Sequence, residues 1–500
     1  MKNQFLHILR SLDEKEIKDL ILFAESPYFN TSERLIKLLK ELVKYHPNYN
    51  FITSESIHKK VFPHLEYNDS TMRRLYTDCD KLLKEFLKYV NFEKNEFRIN
   101  EIYRDEIGSR ALTELYEKNT EEVEDMFNKD GLLEDLYFLY RSNFEADKFI
   151  YSYINKKLIR TGNITSETEN LKNSSNLLFI YFLIKNIKLY VNVKTYQSMY
   201  STNDPENIKN TIDSILNSFD KTKIKELFTL RDKDYSFIYT IYVNLFKMYS
   251  DSDNPKHFVE MKNDLNKNLD KFIIFEKRYL VQSMIDYCIQ ARIDNIKGVD
   301  FTNELIKLYE LQLNKKLYID SESTYLSLNL FRNILIFALN ADKLKWAKKF
   351  VNIYANRLNP ELKEDVVNYS LARINFTEGN YSQALSYFNE IRNNNLNLRI
   401  DERNMSLIIH YELGNFQLLE STIPSHRKYF KQNKVLSKDR KKTYLNFNTY
   451  FSRIVRLYGY RNHIYINRFI KEVKGENNLL FRDWFLKKAN ELLQQRRLTA

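Results

Sequence analysis

The stretch Leu371 to Ile391, LARINFTEGNYSQALSYFNEI, decides the fold. Leu371, Ala372 and Phe376 share one helical stripe. After Gly379-Asn380, the residues Tyr381, Ala384, Leu385, Phe388 and Ile391 follow the i, i+3, i+4, i+7 spacing of an amphipathic helix. The pattern predicts two antiparallel helices, with Gly379 stopping the first and Tyr381 opening the second. Ala372 and Ala384, small between large neighbours, let the two backbones approach closely. A hairpin of this kind cannot bury its apolar faces alone, so it requires stacked neighbours.

Such neighbours recur at a near-constant offset. Moving 35 residues on from Phe376, Gly379 and Tyr381 gives Tyr411, Gly414 and Phe416, within MSLIIHYELGNFQLLESTI. Moving 37 residues back from Tyr381 and Ala384 gives Leu344 and Ala347, within NADKLKWAKKFVNIY, and the apolar segment Leu328 to Leu339 precedes them. The set Ala372, Gly379, Tyr381, Ala384 and Phe388 resembles the tetratricopeptide repeat pattern: a small residue late in the first helix, Gly before the turn, an aromatic opening the second helix, then Ala and an aromatic. Ala347, Gly414 and Phe416 extend the match, while Leu419 and Ile423 replace the Ala and the aromatic, so the resemblance covers about residues 325–423. It implies an all-α fold, a tetratricopeptide-like α-solenoid of helical hairpins, whose surface binds a protein or peptide partner.

Bulk composition agrees with an all-helical chain. Among 500 residues there are only 8 Gly and 7 Pro, too few to supply many hairpin turns or Gly-rich loops, while 43% hydrophobic and 29% charged residues are ordinary for a folded protein. Cys79 and Cys288, the only two cysteines, stand on apolar helical stripes too far apart to suggest a disulfide framework or a metal site, and are expected as buried small hydrophobes. The start MKNQFLHILRSLDEKEIKD brings charge straight after a short apolar stretch, and the longest apolar run, Leu177 to Ile184, falls short of the ~20 residues of a membrane span. These features predict a soluble cytoplasmic protein with no membrane partner.

Charge is distributed unevenly. From Ser425 to Ala500, 19 Lys and Arg stand against 5 Asp and Glu, a net of +14; the rest of the chain carries 59 against 61, a net of −2. Arg427, Lys428, Lys431, Lys434, Lys438, Arg440, Lys441 and Lys442 form a basic cluster with only Asp439 opposing it. Such asymmetry points to an anionic partner, nucleic acid among them.

The organisation that follows is an N-terminal helical module over residues 1–95, a helical array over 96–424 and basic C-terminal helices over 425–500. In the first module, Ser11 with Glu14 and Asn30 with Glu33 have the spacing of capping boxes, and Ser26-Pro27-Tyr28-Phe29-Asn30 must interrupt the helix before it, with Tyr28 and Phe29 pinning the turn to the core. A helix over Ser54 to Phe62, a turn at Pro63, and a helix from Asn68-Asp69 carrying Arg73 and Arg74 have the order of a helix-turn-helix, although Asp78 and Asp80 closely follow the arginines. The SPYFN connection and this last helix also loosely resemble a family of large uncharacterised all-helical bacterial proteins, which implies an N-terminal helical module joined to a long array. Turns are expected at Phe127–Gly131, Thr161–Thr165, Ser201–Pro205 and Ser250–Pro255. Further on, Pro424 is expected to interrupt the chain and Ser437 to cap the helix after it.

Motifs for chemistry are missing. No G-x-x-x-x-G-K-[ST], G-x-G-x-x-G or H-E-x-x-H occurs, and Asp251-Ser-Asp253 lacks the glycine and closing glutamate of a calcium loop. The chain is expected to be no enzyme, with no cofactor, metal or small-molecule substrate: a protein-interaction scaffold, or alternatively a nucleic-acid-associated protein using the basic region or Arg73 and Arg74. Ala384→Phe should destabilise the protein by about 1–3 kcal/mol through overpacking, read as a lowered midpoint in urea denaturation; an unchanged midpoint would remove Ala384 from the helix contact.

Overall fold

The computed structural model describes residues 4–49, 52–129, 131–154, 164–199, 205–218, 223, 226–230, 233–319, 325–392, 395–436, 438–460, 462–476 and 479–494. The expected turns at 161–163 and 201–204, and the cap at Ser437, lie outside the described residues. The described chain is all-α except for a two-residue β-ladder, in which Thr229–Leu230 pairs antiparallel with Lys233–Asp234, and a single parallel bridge between Leu133 and Phe272.

By compactness the chain forms two units, one of residues 1–129 with 143–171 and one of residues 130–142 with 172–500. The first unit begins with α1 (Gln4–Ser11), α2 (Glu14–Glu25), α3 (Glu33–Val43), α4 (Ser54–Val61) and α5 (Asp69–Glu93). One core holds them, with Leu9, Leu20, Leu38, Ile57, Cys79 and Phe86 among its members. The caps sit two residues later than the sequence suggested. Asp13, not Ser11, caps α2 in a capping box with Glu16; Ser32, not Asn30, caps α3. Ser11 instead donates to Ile8 O at the end of α1, and the Asn30 amide reaches back to Ala24 O at 2.8 Å, closing the SPYFN connection. Phe29 stacks on Phe23 at 4.0 Å, whereas Tyr28 is 89% exposed, meeting Phe29 edge-on at 5.1 Å, and does not reach the core as expected. α6 (Glu96–Ser109) and α7 (Thr113–Asn128) follow; Tyr116 stacks on Tyr151 at 3.5 Å, and the buried Arg104 pairs with Asp147 at 2.5 Å.

α8 (Asp135–Ile154) and α9 (Ile164–Met199) each divide between the two units, α8 after Ser142 and α9 after Leu171, and the second unit continues with α10 (Glu206–Ser218), α11 (Ser236–Ser250), α12 (Lys256–Asn268), α13 (Ile274–Ile293) and α14 (Phe301–Asn314). The stretch Thr168–Gln197 of α9 is long and apolar enough to cross a membrane by length and composition. Within this unit its Lys188 is tied to Asp135 at 3.3 Å and to the fully buried Glu276 at 2.8 Å, while Tyr242 donates to Glu276.

Then come α15 (Leu328–Asn340), α16 (Leu344–Tyr354), α17 (Pro360–Thr377), α18 (Tyr381–Asn389), α19 (Leu396–Glu412), α20 (Phe416–Gln432), α21 (Lys438–Tyr460), α22 (His463–Gly475) and α23 (Arg482–Gln494). Pro424 does not interrupt the chain; it sits inside α20. The helix continues past the lost hydrogen bond because Leu419, His426 and Phe430 are all buried at helical spacing on one face. Ile391 falls just beyond the end of α18 but is buried all the same.

One turn recurs. At Gly379 (φ +82°) and Gly414 (φ +72°) the backbone is left-handed, and so it is at Asp342 (φ +54°), 37 and 72 residues before them. Each closes with the same pair of bonds: Asn380 N to Asn375 O and Gly379 N to Phe376 O; Asn415 N to His410 O and Gly414 N to Tyr411 O; Lys343 N to Ala338 O and Asp342 N to Leu339 O. This is the Schellman closure, which satisfies the last carbonyls of a helix and turns the chain back. It appears again at Ala111, Asn295 and Lys316, where no glycine marks it. Neither Gly379 nor Gly414 has an atom within 4 Å of a Cβ built on it, so both serve through backbone conformation rather than close packing. Gly379→Val should therefore cost about 1–2 kcal/mol, and Lys316→Gly should gain roughly 1 kcal/mol, both read from urea denaturation; a Gly379→Val protein as stable as the parent would count against the left-handed turn.

Candidate functional site: a basic face on the C-terminal helices

Packing first fixes the frame on which the basic residues stand. Ala347, Ala372, Ala384 and Phe388 are buried, whereas Leu371 and Tyr381 are only half-buried. Phe376 meets Tyr381 edge-on at 5.7 Å across the Gly379 turn, and Tyr411 meets Phe416 in the same way at 5.5 Å across the Gly414 turn. Phe416 then stacks on Tyr458 of α21 at 4.1 Å. Arg332 of α15 grips Asp401 of α19 with two bonds of 2.6 and 2.7 Å, and Tyr369 of α17 donates to the same carboxylate at 2.5 Å.

A second polar tie orders α19, α20 and α21. His426 Nε2 lies 2.8 Å from Asn404 Oδ1, and the Asn448 amide donates to Ile423 O at 3.0 Å and to His426 Nδ1 at 3.1 Å. His426 is 2% exposed, and burial, helped by the nearby Arg403 charge, pushes its pKa down to about 3. The imidazole is therefore neutral, with one nitrogen donating and one accepting.

On this frame α21 has two faces. Phe447, Tyr450, Phe451 and Ile454 are buried on one side. On the other, successive residues three or four apart form a single stripe: Lys438, Lys441 and Lys442, then Asn446, Thr449, Arg453, Arg456 and Tyr460. Two recesses lie along it. Near the start of α21, one of about 600 Å³ is lined by Lys438, Lys441, Lys442, Thr443 and Asn446, with Glu476 on its wall. Near the end, one of about 800 Å³ is lined by Arg453, Arg456, Tyr460, Tyr465 and Arg468. The stripe runs for most of a helix about 34 Å long at ~1.5 Å per residue.

Most of the charge on this face is uncompensated. Arg453 of the stripe and Arg468 beside it share Glu472, and elsewhere in these helices Lys488 bridges Glu412 and Glu491. Among the described residues, Arg427, Lys428, Lys431, Lys434, Lys438, Lys441, Lys442 and Arg456 make no ion pair. Lysines in the first turn of α21 also face the positive end of the helix dipole, an unfavourable placement that an anion would relieve. Arg427, Lys428 and Lys431 are exposed on α20 and Lys434 in the link after it; Arg440 lies near Tyr444 Oη at 3.5 Å. Tyr460 is 82% and Tyr465 60% exposed, large aromatic surfaces beside the arginines.

The arginine and tyrosine half of the stripe escaped notice in the sequence, although its three-and-four spacing from Lys438 was there to follow. The N-terminal candidates fare differently. Arg73 is paired with Asp69 at 2.7 Å, and Asp78 and Asp80 hold Lys81 and Lys84 along the same helix, so acidic groups accompany the arginine there; Arg74 is exposed. Cys79 and Cys288 are both buried, and burial raises both thiols far above their usual range. Among the described residues no group of His, Cys, Asp and Glu is arranged to hold a metal ion.

No family model, no curated protein and no solved structure matches this chain.

Because the folded state holds His426 neutral while an unfolded chain protonates it near 6.5, stability contributed at neutral pH is lost as pH falls from about 6.5 toward 3. Histidine NMR should show His426 unprotonated at pH 5, and His426→Gln should reduce the loss of stability between pH 7 and pH 5; a His426 signal titrating near 6.5 would contradict the buried tie.

Proposed function

We propose that this chain is a binding scaffold rather than an enzyme, a tetratricopeptide-like α-solenoid whose C-terminal basic face takes nucleic acid. The observation that carries the proposal is the stripe along α21, where Lys438, Lys441, Lys442 and Arg456 lack an ion-pair partner among the described residues. Folded proteins commonly set surface charges of both signs beside one another; a line of uncompensated cations ending in exposed tyrosines suits a ligand that is itself a line of anions with flat rings. Phosphates supply the first and unstacked bases the second, which favours a single strand.

A fluorescent twenty-nucleotide single strand should bind in a way that weakens steeply with salt, with a slope of ~0.7 per phosphate neutralised. The triple replacement Lys438→Glu, Lys441→Glu, Lys442→Glu should weaken binding at least roughly tenfold and flatten the slope, and Tyr460→Ala with Tyr465→Ala should weaken it by about 1–3 kcal/mol per base stacked. Fluorescence anisotropy checks both. Absence of binding at low salt, or an unaffected triple variant, would sink the nucleic-acid proposal.

A protein or peptide partner is the second reading, favoured by the recurrence of the same hairpin turn at 342, 379 and 414. Arrays of helical hairpins offer extended surfaces that bind peptides through many moderate contacts. Polyglutamate displacing the oligonucleotide as well as unlabelled DNA does would move the assignment to an acidic protein.

A further inference from the structure

We propose that the cavity between α9, α11 and α13 binds a protonated amine or guanidinium carried on an aliphatic chain, with Asp286 as its counter-ion. This site lies away from the basic face and does not depend on the function proposed for it.

The cavity measures about 330 Å³, near the small end of the ~300–1,000 Å³ typical of ligand pockets. Its walls are largely apolar, with Met248, Tyr249, Tyr287 and Ile289 among them. Both tyrosine hydroxyls are already engaged with backbone carbonyls, Tyr249 with Ser283 O at 2.8 Å and Tyr287 with Ser252 O at 2.9 Å. What the tyrosines leave for a ligand is ring surface, which favours aliphatic stems and cations.

Asp286 is the anomaly in this lining. The buried carboxylates of the same unit hold a cation among the described residues: Asp135 and Glu276 share Lys188, and Glu304 holds Lys262; of the half-buried ones Asp401 holds Arg332, while Glu134, its pKa pushed up to about 7 chiefly by burial, makes no ion pair. Asp286 has a neutral partner instead, the Gln282 amide at 2.8 Å from Oδ1, and among the described residues it makes no ion pair. Burial pushes its pKa up to about 6, with the Gln282 bond only partly opposing the rise. A half-buried carboxylate held without a cation costs stability at neutral pH, a cost that a bound cation removes.

The remaining charges decide the sign of the ligand. Lys194 and Asp294 line the same cavity, and Asp294 is occupied by the Gln290 amide at 3.0 and 3.1 Å. With Asp286 ionised, the lining is net negative inside a chain whose formal charge is +12, so an amine gathered here is not gathered by bulk charge. A methylene stem against Met248 and Ile289 with its cationic end at Asp286 satisfies both halves of the site.

Isothermal titration at pH 8 with cadaverine, and separately with a capped Gly-Lys-Gly peptide, tests the proposal. The expected result is saturable binding of at least one probe, one per chain, weakened roughly tenfold or more by Asp286→Asn, since a charge-assisted bond is lost. Asp286→Asn should melt at or above the parent temperature at pH 8, which separates lost binding from lost folding, and Ile289→Trp should block the cavity as an independent variant. Preference for cadaverine points to a free amine, and preference for the peptide to a partner's side chain. If neither probe binds saturably, or Asp286→Asn binds like the parent, the proposal is overturned.

Discussion

Three helices of this protein meet at one carboxylate. Asp401 of α19 takes both nitrogens of the Arg332 fork from α15 and the Tyr369 hydroxyl from α17. Side chains from helices 69 and 32 residues away in sequence are thereby held at one point. An ion pair this deep is strong only while complete, because removing either charge leaves the other stranded in a low dielectric. The apolar contacts of Ala372, Ala384 and Phe388 would tolerate some sliding of helices against one another, but the bidentate geometry does not. It fixes the register of α15, α17 and α19, and with it the place of every hairpin they begin. From α19 the neutral His426 tie passes that register on to α20 and α21, where the basic face stands.

The face itself is a departure from how the chain handles charge elsewhere. Buried carboxylates such as Glu276 and Glu304 are matched with lysines, and exposed pairs run along several helices, α5 and α6 among them. Where matching stops, at the first turn of α21 and around Asp286, the sequence gives up local stability. Sites that break local rules in this way are where function is expected, because a bound partner can supply what the fold omits. The two places have opposite sign, uncompensated cations on a surface and an uncompensated carboxylate in a cavity, so they call for different ligands.

How much could be read from residues alone depended on whether a position advertises its conformation. Gly379 and Gly414 announced their left-handed turns, and the hairpins around them follow the sequence pattern closely. Asn295, Lys316 and Ala111 take the same conformation without glycine, and for that reason the hairpins before residue 325 could not be placed in register; Asp342 does so too, but its hairpin was marked by Leu344 and Ala347. Caps were misplaced for a related reason. Ser11 and Asn30 have cap chemistry, but the helix begins where the chain leaves the extended region, at Asp13 and Ser32. Pro424 shows the reverse: a strong local breaker overridden because the residues on either side of it bury one continuous face.

The sequence by itself determined that this protein is helical, since the 3.6-residue periodicity of its apolar residues and its scarcity of glycine and proline are local properties that need no partner to express. It also determined that basic residues gather after Ser425, because net charge is a matter of counting. Tertiary structure alone decided which of those charges are neutralised, since an ion pair depends on distances between helices far apart in the chain. Arg73 and Lys441 look alike in sequence; Asp69 one turn away occupies the first, and no carboxylate among the described residues pairs with the second. Nor could the sequence show Asp286 lining a cavity beside Tyr249 and Tyr287, because both the cavity and the burial that raises its pKa are made by helices that only folding brings together.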